Sequence, residues 1–174
     1  MRLALAVVAV TVGIASAQPM PGPAHEIGDL AKLVAGSWKC SGTVEKLPVV
    51  GTMTSKLDVG GAWIHESMTL TVGDPKAGMT VSLEGFNTYS AASKTWRRLA
   101  VDSMGNHMLG TAPATADHNF EWAMEVTQPA GPPVLQRAHT DMSNPAKGIK
   151  IAIDESPDHG KTWIPGLSAL CTRN

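Results

Sequence analysis

The amino-acid sequence predicts an all-β fold: an antiparallel up-and-down β-barrel of about ten strands, preceded by a short helix. Three observations carry this expectation. Helical periodicity is confined to residues 25–34; beyond Gly36, short runs rich in Thr, Val, Ile and Trp alternate with Gly, Pro, Asn and Asp punctuation. Later runs alternate with period two, as in Phe120, Trp122, Met124 and Val126 against Glu121 and Glu125, and in Ile149, Ile151 and Ile153 against Lys150 and Asp154. That period marks antiparallel strands with one apolar and one polar face. Finally, Cys40 near the start of the strand-rich region and Cys171 near the C-terminus suit a first and last strand that meet, which removes both sheet edges. A two-sheet sandwich with a disulfide across its core is the competing architecture.

Residues 1–17 read as a secretory signal peptide, with Arg2 as the positive start, an apolar run from Leu3 to Ile14, and the A-x-A-type site Ala15-Ser16-Ala17. The run is shorter than the roughly 20 residues of a membrane-spanning helix, and Pro19, Pro21 and Pro23 follow it, so no membrane span is expected. Cleavage near Ala17 implies a secreted or periplasmic protein. Residues 18–24 form a Pro-rich leader, and 25–174 one domain of ordinary size.

Ile27, Leu30, Leu33 and Val34 share a helical face, and the helix should stop near Gly36. The strands expected after it are 38–46, 51–59, 62–72, 79–89, 95–103, 107–111, 119–127, 134–142, 148–155 and 162–173, each bounded by turn residues. Short connections between successive runs favour a meander.

The formal net charge is −1, with no basic cluster beyond Arg97-Arg98, so nucleic acid is not an expected partner. In an exported chain, two cysteines have one intramolecular pairing, Cys40 with Cys171. Two buried free thiols or half of a metal site are the competing readings; export disfavours the first, and the second lacks any nearby ligand at metal spacing. No metal site is predicted, since residues 18–174 contain no H-x-H, H-x-x-x-H or C-x-x-C. No catalytic residue is predicted either: G-x-S-x-G is absent, and Glu66, Glu84 and Glu121 read as facing solvent or a strand neighbour.

The segment from Ser156 to Trp163 fits S-x-D-x-G-x-T-W and resembles the Asp-box of sialidases and other β-proteins. The resemblance implies a structural hairpin in which Asp158 ties down the turn with Ser156, Gly160 supplies a positive φ and Trp163 packs beneath. At Gly36-Ser37-Trp38 the chain resembles the G-x-W signature of the calycins, the lipocalins and their relatives. That resemblance implies a tryptophan, Trp38, closing one barrel end with Arg173 from the last strand across its ring. The chain also resembles an exported bacterial family of unknown function with a lipocalin-like barrel. Residues 33–38, 60–64, 86–89 and 94–96, with the Asp-box and Arg173, carry the likeness. Nitrobindins share a G-x-W-x-G-x-G start and bind haem through histidine; here Cys40 stands at their middle glycine. Haem is therefore an alternative cofactor, with His65, His107 or His139 as its ligand, and otherwise no cofactor is predicted.

Five tryptophans and nine methionines stand beside two phenylalanines and one tyrosine. Methionine is polarizable and adaptable, and suits a cavity that accepts apolar ligands of loose shape. The expected role is binding of a small hydrophobic or amphiphilic molecule inside the barrel, without catalysis. Strand alternation nominates Trp63, Met79, Val81, Leu83, Trp96, Phe120, Trp122 and Met124 as lining. A haem-binding, nitrobindin-like barrel with redox chemistry and a non-catalytic structural or interaction protein of the envelope, with a filled barrel, are the alternatives.

Overall fold

The computed structural model describes residues 22–174; the signal-like residues 1–17 and residues 18–21 of the leader lie outside the described residues. Helix α1 spans His25–Val34 and turns Ile27, Leu30, Ala31 and Val34 inward, while Leu33 is half-buried. Ten strands follow: β1 Gly36–Val44, β2 Leu47–Asp58, β3 Trp63–Val72, β4 Met79–Ser90, β5 Thr95–Asp102, β6 His107–Pro113, β7 Asn119–Thr127, β8 Val134–Asp141, β9 Ile149–Ser156 and β10 Ile164–Arg173. Each pairs antiparallel with its sequence neighbours, and β1 pairs with β10, so the sheet is a closed barrel. Closure excludes the sandwich.

At the seam Cys40 lies directly opposite Cys171, and the two are joined with an S–S distance of 2.04 Å. Two register positions away Trp38 faces Arg173, whose guanidinium carbon sits 4.5 Å from the indole centroid. The helix needs this pair. A helix leaves its last carbonyls without intrahelical partners, and here Trp38 Nε1 donates to Val34 O at 2.9 Å, while Arg173 Nη1 and Nη2 donate to Ala35 O and Leu33 O at 2.9 and 2.7 Å. Gly36 makes the arrangement possible: its φ is +127°, and a Cβ there would lie 3.0 Å from Arg173 Nη1. The G-x-W…Arg set is thus a C-terminal cap that fixes α1 across one barrel end.

The Asp-box forms the turn between β9 and β10. Asp158 accepts from Thr162 N and Thr162 Oγ1 at 2.8 and 2.7 Å and from Ser156 Oγ at 2.9 Å, while Ser156 Oγ accepts from Gly160 N at 2.7 Å. These bonds, those from Thr162 foremost, lower the Asp158 carboxyl to about 2. Trp163 packs against Arg137, 4.6 Å from centroid to guanidinium carbon.

The first hairpin differs materially from the sequence expectation: β1 runs from Gly36 to Val44 rather than over 38–46. β2 starts at Leu47 rather than residue 51, because Glu45 and Lys46 form a two-residue hairpin turn with φ of 48° and 74°. Such turns ordinarily advertise themselves with Asn-Gly or Asp-Gly.

Candidate functional site: the barrel cavity

Inside the barrel, alternation sets what each strand contributes. From β3 come Ile64, Glu66, Met68 and Leu70; from β4, Val81, Leu83 and Asn87; from β5, Arg98; and from β7, Phe120, Trp122 and Met124. Met53, Met108 and Met142 join them, and Leu30 and Val34 of α1 seal one end. With residues of β8, β9 and β10 they line a cavity of ≈ 160 Å³. Five methionines share its wall with two aromatic rings, a surface of soft side chains that repack at little cost.

Beneath the cavity, at the helix end, the core is dense. Trp96, 4% exposed, meets Phe120 edge-on at 5.8 Å between centroids and Tyr89 at 5.3 Å. Edge-to-face contact is the favoured aromatic geometry. Ile27, Val34 and Trp38 complete this floor.

One side of the wall is polar. Arg98 Nη1 donates to Glu66 Oε2 at 2.6 Å and to Asn87 Oδ1 at 3.1 Å. The Glu66 and Arg98 side chains retain only 12% and 18% of their exposure, and Asn87 is 4% exposed. Gly85, opposite Glu66 in the β3–β4 ladder, creates the room: a Cβ there would lie 3.0 Å from Arg98 Nη2. The guanidinium reaches from β5 across this bare stretch of β4 to the carboxylate on β3.

Of the residues nominated from sequence, Val81, Leu83, Phe120, Trp122 and Met124 line the cavity. Trp96 belongs to the floor. Trp63 does not line it: it is out of phase with Ile64, Glu66 and Met68 and pairs with Asp58 on the other face of β3. Met79 shares the phase of Val81 but is the first residue of β4, 54% exposed. Glu66 corrects the expectation of a carboxylate facing solvent or a strand neighbour: it turns into the cavity onto Arg98 of β5, whereas Glu84 and Glu121 lie outside the barrel against histidines of neighbouring strands.

The outer carboxylates hold histidines. Glu84 accepts from Ser67 Oγ at 2.7 Å and lies 2.7 Å from His65 Nε2, and both contacts, Ser67's first, lower its carboxyl below the usual range. His65 stacks on Phe86 with centroids 4.6 Å apart, and His139 Nδ1 lies 2.5 Å from Glu121. His107 is exposed on β6, out of phase with the inward Met108. None of the three strand histidines lines the cavity, so the residues there do not fit a histidine-ligated haem. Among the described residues, no group of His, Cys, Asp and Glu is arranged to hold a metal ion, and no helix is long and apolar enough to cross a membrane.

The sequence matches no known family model, and no curated protein matches it. Its fold is shared by a solved structure, the crystal structure of Rv2717c from M. tuberculosis. That chain aligns with a TM-score of 0.61 at 12% identity, over 87% of this chain and 99% of the other. At that identity the likeness concerns the fold.

Proposed function

We propose that the protein binds a small apolar or amphiphilic molecule inside the barrel and performs no chemistry on it. One observation carries this reading: a cavity of ≈ 160 Å³, walled by methionines and aromatics, inside a barrel whose backbone hydrogen bonds are otherwise closed on themselves. An engineered apolar cavity of about 150 Å³ admits benzene or xenon, so a single ring or a short branched chain is the size to expect. The Cys40–Cys171 bridge supports a working place outside the reducing cytoplasm, as the signal-like residues 1–17 imply.

The test is a titration with toluene, followed through ¹³C-methyl methionine NMR. Binding in the barrel shifts Met53, Met68, Met108, Met124 and Met142 and leaves the exposed Met79 and Met104 in place. Shifts confined to Met79 and Met104, or none at all, would refute the reading and favour a filled structural barrel.

A further inference from the structure

Among the described residues that line the cavity, Glu66 and Arg98 are the only charged side chains, and they neutralise one another. Their mutual contact uses one guanidinium nitrogen and one carboxylate oxygen. Arg98 Nη1 is further engaged by Asn87. That leaves Arg98 Nε and Nη2, Glu66 Oε1 and Asn87 Nδ2 without a protein hydrogen-bond partner among the described residues. These atoms are not sealed away, because among the described residues the buried side-chain polar atoms lacking partners are Ser55 Oγ and Asn119 Oδ1. Ser55 lies directly across the β2–β3 ladder from Glu66, which adds an orphaned hydroxyl beside the same carboxylate.

A buried ion pair is a poor device for stability alone, since well-packed apolar residues of similar volume often do as well or better. Unspent donors and an unspent acceptor on a neutral pair are what an uncharged hydroxyl or carbonyl group requires. Building on the cavity reading above, we infer that the ligand is a small uncharged molecule carrying one hydroxyl or carbonyl oxygen, which docks on Arg98 and Glu66 with its apolar part among the methionines.

Charged ligands are disfavoured by the same arrangement. A carboxylate on Arg98 places a second anion against Glu66 in a low-dielectric interior, and an ammonium on Glu66 does the converse to Arg98.

Four probes of one ring size separate the possibilities: toluene, benzyl alcohol, benzoate and benzylammonium, titrated at pH 7 against the methionine methyl signals. Benzyl alcohol should bind at least about tenfold tighter than either ion and at least about threefold tighter than toluene, the scale of one modest hydrogen bond. In the double variant Glu66→Met with Arg98→Met, the alcohol should fall to the affinity of toluene while toluene is retained. Glu66→Gln makes the site net positive and should move benzoate from among the weakest probes to the tightest; unchanged benzoate affinity would overturn the inference. So would equal affinity of toluene and benzyl alcohol, or preference for benzoate, in the unaltered protein. Toluene binding without an alcohol preference removes this inference alone; no binding by any probe removes the cavity reading with it.

Discussion

Breaking the Glu66–Arg98 pair from one side should destabilise the barrel far more than removing both partners. With Glu66→Met, the guanidinium keeps only Asn87 Oδ1 as an acceptor, and its 18% exposure leaves little solvent to compensate. Orphaning one member of a buried pair typically costs about 3–5 kcal/mol. Because both side chains border a cavity and are not embedded in solid core, the lower end, about 3 kcal/mol, is the expected cost for Glu66→Met and likewise for Arg98→Met. The double substitution should instead lie between neutral and about 2 kcal/mol stabilising, since methionine fills similar volume without a desolvation penalty. The coupling those values imply is about 6–8 kcal/mol, above the range ordinarily seen for residues in contact. Urea unfolding followed by tryptophan fluorescence measures all four corners of the cycle. Single costs below about 1 kcal/mol with an additive double variant, the behaviour of an exposed pair, would refute the argument that this pair sits in a low-dielectric interior.

Reducing the Cys40–Cys171 bridge, which spans 131 positions of sequence, should cost about 5 kcal/mol in the chain-entropy account, read as a lower urea midpoint with reductant than without; a loss under about 1 kcal/mol would contradict it. Arg173→Met removes the contact over Trp38 and two bonds to the carbonyls at the end of α1, so about 1–3 kcal/mol should be lost. The loss should appear first as faster amide exchange within residues 25–34, and unchanged exchange there would contradict the capping role. Asp158 has a folded pKa of about 2, below its ordinary 3.8. Its contribution to stability is therefore complete above about pH 4 and lost as the pH falls through about 2. Thermal melts between pH 5 and 2 should fall less steeply for Asp158→Asn than for the unaltered protein, and parallel curves would remove Asp158 from the acid response.

The barrel was legible in the sequence because alternation is strict where one face is wet. Phe120, Trp122, Met124 and Val126 against Glu121 and Glu125 leave no second reading of β7. The seam was legible from Cys40, Cys171, Trp38 and Arg173, whose order along the two ends matches their pairing across β1 and β10. The polar wall was hidden by the rule that exposed the rest. Glu66 falls in phase with Ile64 and Met68, and Arg98 with Trp96 and Ala100, yet a charged residue in a strand is ordinarily assigned to solvent. On β3 the inward phase is Ile64, Glu66, Met68 and Leu70, and Trp63 stands in the opposite one with His65 and Ser67. The available signal was polar residues in the apolar phase of three consecutive strands, at Glu66, Asn87 and Arg98. Gly85 supplied a second one, since a bare position among them leaves space for a long side chain.

The claim that the barrel interior is a binding site is tested most directly by diffraction from xenon-pressurised crystals. The account predicts an anomalous peak inside the barrel, in contact with Trp122, Met124 and Met68, that disappears when Ala138→Phe fills the cavity those residues line. An interior without xenon, or a peak found only on the outer surface near Leu99 and Leu109, would contradict it.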